Sequence, residues 1–552
     1  MTDDAIAKSS GATAVAGGGA VLIMLATAQF LMALDTSVMN VCIAQVANDV
    51  HTTVTGIQSA ITLYTLVMAS LMITGGKLGA LIGRKRIFLI GCIVYGCGSM
   101  TTALSPSLPV LLIGWSLLEG IGAAMIMPAI VALVAGNFPA ERRPAAYGLI
   151  AAAGAMAVAV GPLVGGAAAT YATWRLVFAG EVLIVVLIMI LARRAQDAPP
   201  DRRPKLDPVG VLLSIVGLAS IVYGVLKSSS WGWVQPKPDQ PALFGISLVF
   251  WLMAGGGMVL YCFALWERRV EKRGGEPLVT PGILRNARLR SGLNSFFFQY
   301  MIQAGTFFII PLFLSVSLGL SPIATGVRLL PLSIGLLLTA VLVPRLLPHG
   351  SPRRIVRVGL LMMLVSLLTL LAAMDVTASA GVVLVPLFLM GLGVGALASQ
   401  LGAVTVSAVP DSQSAEVGGL QNTFMFLGSS LGTALVGAVL IGALTTSAIT
   451  GISGVTGVPE SVKQEATVKM QAGVPFVSDA QLTAAMNEAG VPKATADQVL
   501  AVNEQARVEG LQSALALLSA LTILALFATS RLPKLLTAPP GEGDEARAQG
   551  PA

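Results

Sequence analysis

Apolar runs of about 20 residues follow one another along nearly the whole chain, and each is long enough to cross a bilayer as a helix. Hydrophobic residues make up 55% of the 552 residues and charged residues only 11%, whereas a soluble domain carries about a quarter charged residues. The sequence therefore predicts an all-α membrane protein. The fourteen predicted spans are 20–45, 55–76, 87–104, 108–134, 144–170, 175–192, 208–226, 242–266, 292–317, 323–344, 356–374, 381–408, 415–444 and 511–530.

The Lys and Arg residues are distributed unequally between the two sets of connections. With the N-terminus placed inside, 26 of the 34 fall on the inner side and seven on the outer side. Because connections rich in Lys and Arg stay in the cytoplasm, we expect both termini to be cytoplasmic, in a bacterial inner membrane. This distribution also accounts for the net charge of +7 without any nucleic-acid partner.

Several short motifs occur in a fixed order along the spans. Residues 34–41 read LDTSVMNV, residues 75–86 read GGKLGALIGRKR, residues 161–166 read GPLVGG, and residues 419–423 read GLQNT. In this order and on these helices, they resemble the major facilitator superfamily, in particular its drug:proton antiporters with fourteen spans. The resemblance implies the major facilitator fold, with two six-helix bundles and two extra helices between them, and it implies secondary transport.

The resemblance and the connections together predict the organisation of the chain. The longest outer connection, 445–510, is expected to carry short amphipathic helices at 478–490 and 494–509. The predicted parts are a cytoplasmic N-terminus at 1–19, a six-helix bundle at 20–192, a linker with the extra helices at 193–266, a cytoplasmic loop at 267–290, a second bundle at 291–530 and a cytoplasmic tail at 531–552.

The chain keeps most of the family's conformational motifs and departs from two of them. Ala80 stands where the family loop has an Asp that latches one state, and Ser116 stands where the fourth helix has an Arg. Gly161 and Gly165 form a small-xxx-small step that lets helices approach closely, and Pro162 permits a bend. The residues assigned to these motifs are Gly76, Gly83, Arg84, Lys85, Arg86, Gly154, Gly161, Pro162, Gly165 and Gly166.

Three acids lie within predicted spans of the first half, namely Asp35, Glu119 and Glu181. An ionisable group inside a span costs at least ~2.5–3.5 kcal/mol, so it is expected to face a cavity or a partner. The resemblance places the first and fourth helices at the central cavity, where Asp35 and Glu119 would hold and release a proton together. Glu181 is the next candidate for proton coupling.

The substrate surface is expected at the midplane between the two halves. In the ninth span, Gln299, Tyr300 and Gln303 offer amide and aromatic contacts, together with Phe297. Arg328, near the outer end of the tenth span, is a further candidate for substrate contact or gating.

Other classes of protein are disfavoured. The sequence lacks a Gly-x-x-x-x-Gly-Lys-Ser/Thr run, which argues against an ATP-driven pump. Two His and four Cys without ligand spacing predict no metal, no cofactor and no enzyme. We expect a monomer that exports small amphiphilic or cationic compounds in exchange for protons. The alternatives are an exporter of an endogenous metabolite or envelope lipid, with or without proton coupling, and a sensor or assembly partner that uses the outer connection.

Overall fold

The chain folds almost entirely into helices, because in hydrocarbon every backbone N–H and C=O must be bonded within the protein. The computed structural model describes residues 3–52, 54–195, 205–238, 240–348, 350–410, 413–453, 478–488 and 491–533. Within these residues, fourteen helices are long and apolar enough to cross a membrane. The prediction of fourteen spans and the all-α fold class are therefore confirmed.

Six helices form the first bundle. The fourth is irregular, because its backbone is π-helical over Leu112–Glu119 and α-helical on both sides. The six are α1 (Asp3–Asp49), α2 (Val54–Ile82), α3 (Arg84–Ala103), α4 (Leu108–Asn137), α5 (Arg143–Tyr171) and α6 (Arg175–Leu191).

Two helices follow as a hairpin between the bundles: α7 (Pro208–Trp231) and α8 (Leu248–Lys272). Their connection contains two short antiparallel strands, β1 (Ala242–Leu243) and β2 (Ile246–Ser247), with Ala242 opposite Ser247. Asp207 caps α7, since its carboxylate accepts the N–H of Val209 and also the indole N–H of Trp266 at 2.7 Å. The cap thus ties the start of α7 to the end of α8.

The second bundle contains six long helices and one short one. They are α9 (Ala287–Ser317, π-helical from Leu312), α10 (Pro322–Leu346), α11 (Pro352–Ala373), α12 (Leu384–Val406), α13 (Ser414–Ser453), the short α14 (Asp479–Glu488) and α15 (Lys493–Ala528). Single 3-10 turns lie at Ala140–Arg142, Ala192–Arg194, Ile283–Arg285 and Thr529–Arg531.

The connection between α13 and α15 is shorter than the predicted 445–510, because both helices extend into it. The helix predicted at 478–490 is confirmed as α14 over its described residues. The separate helix predicted at 494–509 is wrong, because these residues are the first half of α15, and α13 continues to Ser453. The extension of α13 contains five Thr or Ser residues among nine, and that of α15 exposes Lys493 and Asp497, so neither continues the apolar pattern of its span. A helix outside the bilayer does not need an apolar surface.

The two bundles meet near one end, which we call the basic end and define as the end where α2 finishes and α3 begins. A Cβ on Gly76 of α2 would lie 2.6 Å from the Ala415 carbonyl oxygen of α13. A Cβ on Gly148 of α5 would lie 2.6 Å from the Ala340 carbonyl oxygen of α10. Such approaches require glycine, and they bring the bundles together at the basic end.

Candidate functional site

Three carboxylates from three helices of the first bundle meet in its interior, and we call Asp35, Glu119 and Glu181 the acid cluster. One oxygen from each lies within 4.8 Å of the others. The side chains are 0%, 0% and 1% exposed. The structure therefore joins Glu181 to the pair that the sequence placed together, and it positions all three away from water.

Polar neighbours hold one oxygen of each acid. The Trp115 indole N–H donates to Asp35 Oδ1 at 2.7 Å, and the Thr102 hydroxyl lies 2.9 Å from Glu119 Oε1. Ser99 donates to Glu181 Oε2 at 3.1 Å. No hydrogen-bonding partner is present for the second oxygen of each acid within the described residues. The cluster is thus deeply buried and incompletely bonded.

Close packing of α3 against α4 brings the acids together. A Cβ on Gly98 would lie 2.6 Å from Glu119 Cγ, and one on Gly114 would lie 2.8 Å from the Thr102 nitrogen. The π-helical segment of α4 ends at Glu119, and such segments are rare and frequently mark functional sites. The backbone of α4 therefore departs from regular geometry at the residue that carries the acid.

The hydrogen bonds around Glu119 indicate that its carboxyl group can carry a proton. The Thr102 hydroxyl lies 2.9 Å from the Gly98 carbonyl and 2.9 Å from Glu119 Oε1, but a hydroxyl has one proton to donate. Both contacts are satisfied when Glu119 carries a proton and donates it to Thr102. No Lys or Arg pairs with the three acids in the described chain. Their charge must therefore be balanced by protons or by a bound cation.

Carboxylate oxygens at this spacing can also coordinate a hard cation. Among the described residues, the acid cluster is the set that could hold a metal ion. The sequence prediction of no metal site considered histidine and cysteine, and it did not weigh three converging acids.

A cavity of about 190 Å³ lies between the two bundles, and we call it the amide cavity. Its walls come from α1, α4 and α5 of the first bundle and from α9, α10, α12 and α13 of the second. Its polar lining residues are Gln29, Tyr147, Gln299, Tyr300, Gln303, Gln421 and Asn422. The cavity therefore lies where a substrate would contact both halves.

The predicted substrate residues divide into two groups. Gln299, Tyr300 and Gln303 line the amide cavity, with Phe296 in place of the predicted Phe297. Arg328 does not line it, and its guanidinium donates to the Ala324 carbonyl in its own helix at 3.1 Å. Residues 296, 299, 300 and 303 recur with the spacing of one helix face, whereas 297 falls on another.

The expectation that Asp35 and Glu119 face the central cavity is not met. Neither acid lines the amide cavity; on α1, the lining residues are Gln29 and Ala33. A polar residue in a span predicts burial, but it does not say whether the side chain points between the bundles or into one of them. The acid cluster and the amide cavity are therefore separate sites joined by α1 and α4.

The loop between α2 and α3 keeps its predicted geometry. Gly83 has a φ of 105°, which favours glycine, at the turn into α3. Arg84 donates to the Ala132 carbonyl at 3.2 Å, and Lys85 donates to the Ala195 carbonyl at 2.9 Å, while Arg86 is exposed. These bonds tie the loop to the ends of α4 and α6.

The segment 277–280, after α8, crosses the basic end and bonds to both bundles. Lys77 of α2 donates to the Pro277 carbonyl at 2.6 Å. Glu416 of α13 accepts the Thr280 N–H at 2.5 Å, and Glu267 of α8 accepts the Val279 N–H at 3.0 Å. This segment therefore joins α2, α8 and α13 beside the loop in which the family Asp is replaced by Ala80.

The glycines of α5 have different surroundings. A Cβ on Gly161 would lie 2.3 Å from Ser37 Oγ, and one on Gly154 would lie 3.3 Å from Gln29. Gly165 lies against Val38 and Cys42, whereas a Cβ on Gly166 would meet nothing within 4 Å. The small-xxx-small step thus permits close contact between α5 and α1. The side chain of Pro162 lies outside the described residues.

Sequence reasoning missed several residues of both sites. Trp115 precedes Glu119 by one helical turn, and Ser99 and Thr102 lie on α3; their neighbours gave no reason to prefer them over other buried polar residues. Gln29 could have been noticed, because an amide within a span is uncommon. The pair Gln421 and Asn422 belongs to a motif quoted above, but its place on the cavity wall depends on the rotation of α13.

Comparison with known proteins gives three matches of interest. A sequence model described as the Major Facilitator Superfamily matches residues 25–236 and 241–433. The puromycin resistance protein of Streptomyces alboniger is 32% identical over 435 residues, covering 76% of this chain and 82% of that protein. A probable actinorhodin transporter of Streptomyces coelicolor is 29% identical over 446 residues, covering 78% of this chain and 74% of that protein.

Among solved structures, that of a human organic anion transporter aligns with a TM-score of 0.56 and 13% identity. The alignment covers 94% of this chain and 99% of that one. At this identity, the likeness concerns the fold alone.

Proposed function

The chain belongs to the major facilitator superfamily, and from that premise we propose that it exports small amphiphilic compounds in exchange for protons. The observation that carries the proposal is the acid cluster: three buried carboxylates, each with an unpartnered oxygen, lie within 4.8 Å of one another. The similarity to a puromycin resistance protein and to a probable actinorhodin transporter supports export as the direction.

The acid cluster is proposed to be the proton-coupling site. Three negative charges in a site of low dielectric constant repel one another, so the cluster holds protons while it is closed. Opening to water would hydrate the carboxylates and release a proton. Asp35, Glu119 and Glu181 are the residues that take part, and Ser116 in place of the family Arg leaves no fixed cation on this turn of α4.

Coupling between the two sites is proposed to pass through shared helices. Asp35 and Gln29 lie on α1, and Glu119 and Val131 lie on α4, so each of these helices carries one acid and one part of the cavity wall. A change in the charge of the cluster that shifts α1 or α4 would alter the cavity. Proton and substrate would then be coupled through movement rather than by competition for one carboxylate.

Alternating access would require the contacts at the basic end to break. We propose that segment 277–280 supplies the latch in place of the missing Asp, because it bonds to Lys77 of the first bundle and Glu416 of the second. The close approach of Gly76 to Ala415 would separate in the same movement. The step at Gly161 and Gly165 would remain intact, since it lies within the first bundle and stiffens it against a leak.

The arrangement in the cell follows from the same reasoning. The protein is a multi-pass membrane protein, and we propose that it lies in the bacterial inner membrane with both termini cytoplasmic and acts as a monomer. The basic end would face the cytoplasm, because it carries the Arg and Lys clusters that stay on that side. The domain boundaries predicted from the sequence belong to the same proposal, with α13 and α15 longer than their predicted spans.

The second candidate is export of an endogenous metabolite. The similarity to a probable actinorhodin transporter favours it, and so does the loss of the family Asp and Arg at Ala80 and Ser116. Both candidate functions use the same fold and cavity. They differ in the substrate and in whether transport requires protons.

Transport in proteoliposomes separates these candidates. Uptake of puromycin and of ethidium would be measured with and without an imposed pH gradient, with protein-free vesicles as the control. Proton-coupled export predicts accumulation that depends on the gradient. Accumulation that is equal with and without the pH gradient would contradict proton coupling. Failure to transport any compound of a panel of amphiphiles would contradict the export proposal.

A further inference from the structure

The polar surface of the amide cavity is uncharged. Its lining contains five side-chain amides and two tyrosines, and none of its described lining residues is Asp, Glu, Lys, Arg or His. The acid cluster, whose carboxylates could otherwise balance a cationic substrate, is buried within the first bundle. A cation that entered this cavity would lose its hydration without gaining a counter-charge, which is costly.

Two of the amides present acceptors without partners. Gln299 is 2% exposed, and its Oε1 has no hydrogen-bonding partner in the described structure. Gln303, one helical turn later, has an equally unpartnered Oε1. A buried acceptor left unsatisfied is unfavourable, so a pair of them on one cavity wall indicates a ligand that supplies donors.

Three of the other polar side chains of the lining already donate a proton within the protein. Tyr147 donates its hydroxyl proton to the Val131 carbonyl at 3.1 Å. Gln421 donates an amide N–H to Thr405, and Asn422 donates one to the Gly418 carbonyl at 2.9 Å. These three side chains therefore have fewer protons to donate to a ligand.

Flat and apolar groups complete the wall. Phe296 and Tyr300 lie on the same face of α9 as the two glutamines, and Met127 and Met425 lie on other helices of the lining. Aromatic rings and methionines pack well against planar ring systems. A volume of about 190 Å³ is below the roughly 300–1,000 Å³ typical of drug-sized ligands, so this state has room for a small ring system.

We propose that the amide cavity binds an uncharged, ring-containing molecule that donates hydrogen bonds from hydroxyl or N–H groups to Gln299 and Gln303. This inference rests on the proposed export function and narrows its substrates from amphiphilic or cationic compounds to neutral donors. The side-chain amides of α9 then select the substrate, while the acid cluster binds and releases protons.

The test is equilibrium binding to the purified full-length protein in lipid nanodiscs, without any gradient. The probes are the naphthalenediol with one hydroxyl on each ring, its dimethyl ether, and N-methylquinolinium, a flat two-ring cation of similar size. The diol is expected to bind about tenfold more tightly than the ether, because the ether cannot donate. It is also expected to bind more tightly than the cation.

Variants assign the effect to the cavity. Gln303→Leu is expected to weaken diol binding about tenfold and to leave ether binding nearly unchanged. Gln303→Glu is expected to raise the affinity for N-methylquinolinium, which shows that the variant folds and that the cavity is the site. Gln505→Leu, an exposed glutamine on α15, is the matched control and should bind the diol like the unmodified protein.

Three results would overturn the inference: no binding of the diol, equal binding of the diol and its ether, or tighter binding of the cation to the unmodified protein. The outcome is separate from that of the export proposal. Diol binding without transport would contradict export and support the cavity assignment. Transport of cations without diol binding would support export and contradict the cavity assignment.

Discussion

Replacing Glu119 by glutamine is expected to stabilise the protein while abolishing gradient-driven export. The structure leaves Asp35 Oδ2, Glu119 Oε2 and Glu181 Oε1 buried without hydrogen-bonding partners. Each unsatisfied buried group costs about 1–3 kcal/mol. The glutamine amide keeps the shape of the side chain and brings two N–H donors within reach of the neighbouring carboxylates, so a gain of about 1–3 kcal/mol is expected.

The assay is thermal unfolding of the purified protein in detergent at a fixed heating rate, together with uptake in proteoliposomes. Because the shift per kcal/mol falls with chain length, a gain of this size corresponds to a rise in the unfolding midpoint of about 1–3 °C for 552 residues. Glu141→Gln is the matched control, because Glu141 is an exposed acid in the turn before α5, and its replacement should change neither the midpoint nor export.

The result that would refute this reasoning is specific. A Glu119→Gln protein that unfolds at a lower temperature than the unmodified protein would show that Glu119 makes a net stabilising interaction in its native form. A protein that still accumulates substrate with an unchanged pH dependence would show that Glu119 is not needed for coupling.

Three further predictions concern the ends of the bundles and the orientation of the chain. Gly76→Ala is expected to abolish most export at normal membrane abundance, because its methyl group would lie 2.6 Å from the Ala415 carbonyl oxygen; Gly257→Ala, which meets nothing within 4 Å, should export normally, and equal export by both variants would show that the close approach of the bundles at Gly76 is not needed for transport. Asp479→Asn is expected to lower stability by about 1–3 kcal/mol, because it weakens the ion pair of Arg507, which is 1% exposed and 2.7 Å from both Asp479 oxygens; an unchanged unfolding midpoint would contradict this. In a background without the four native cysteines, Lys237→Cys and Ala480→Cys should react with an impermeant thiol reagent in intact cells while Arg194→Cys and Arg273→Cys should not, and the reverse pattern would refute cytoplasmic termini.

The spans and the acids could be predicted from the sequence, because hydropathy and the cost of buried charge act on each segment separately. The sequence could not predict which polar residues belong to the acid cluster and which line the amide cavity. Asp35 and Gln29 are both polar residues in one span, and the rotation of α1 against α4 and α5 decides which one lies between the bundles.

Two other features escaped sequence analysis for related reasons. The π-helical segment Leu112–Glu119 packs against α3, and its residues have no distinctive composition. The bonds of segment 277–280 to Lys77 and Glu416 join residues more than 130 positions apart. Short-range patterns carry no information about such contacts.

The measurement that tests the account most directly is the pH inside proteoliposomes when a compound that the protein transports is added outside. With the unmodified protein, the lumen should become more alkaline, because each substrate that enters is exchanged for a proton that leaves. Vesicles that contain Asp35→Asn or Glu119→Gln should show no change. A lumen pH that stays constant with the unmodified protein during measurable uptake, or that shifts equally in all three preparations, would contradict proton exchange at the acid cluster.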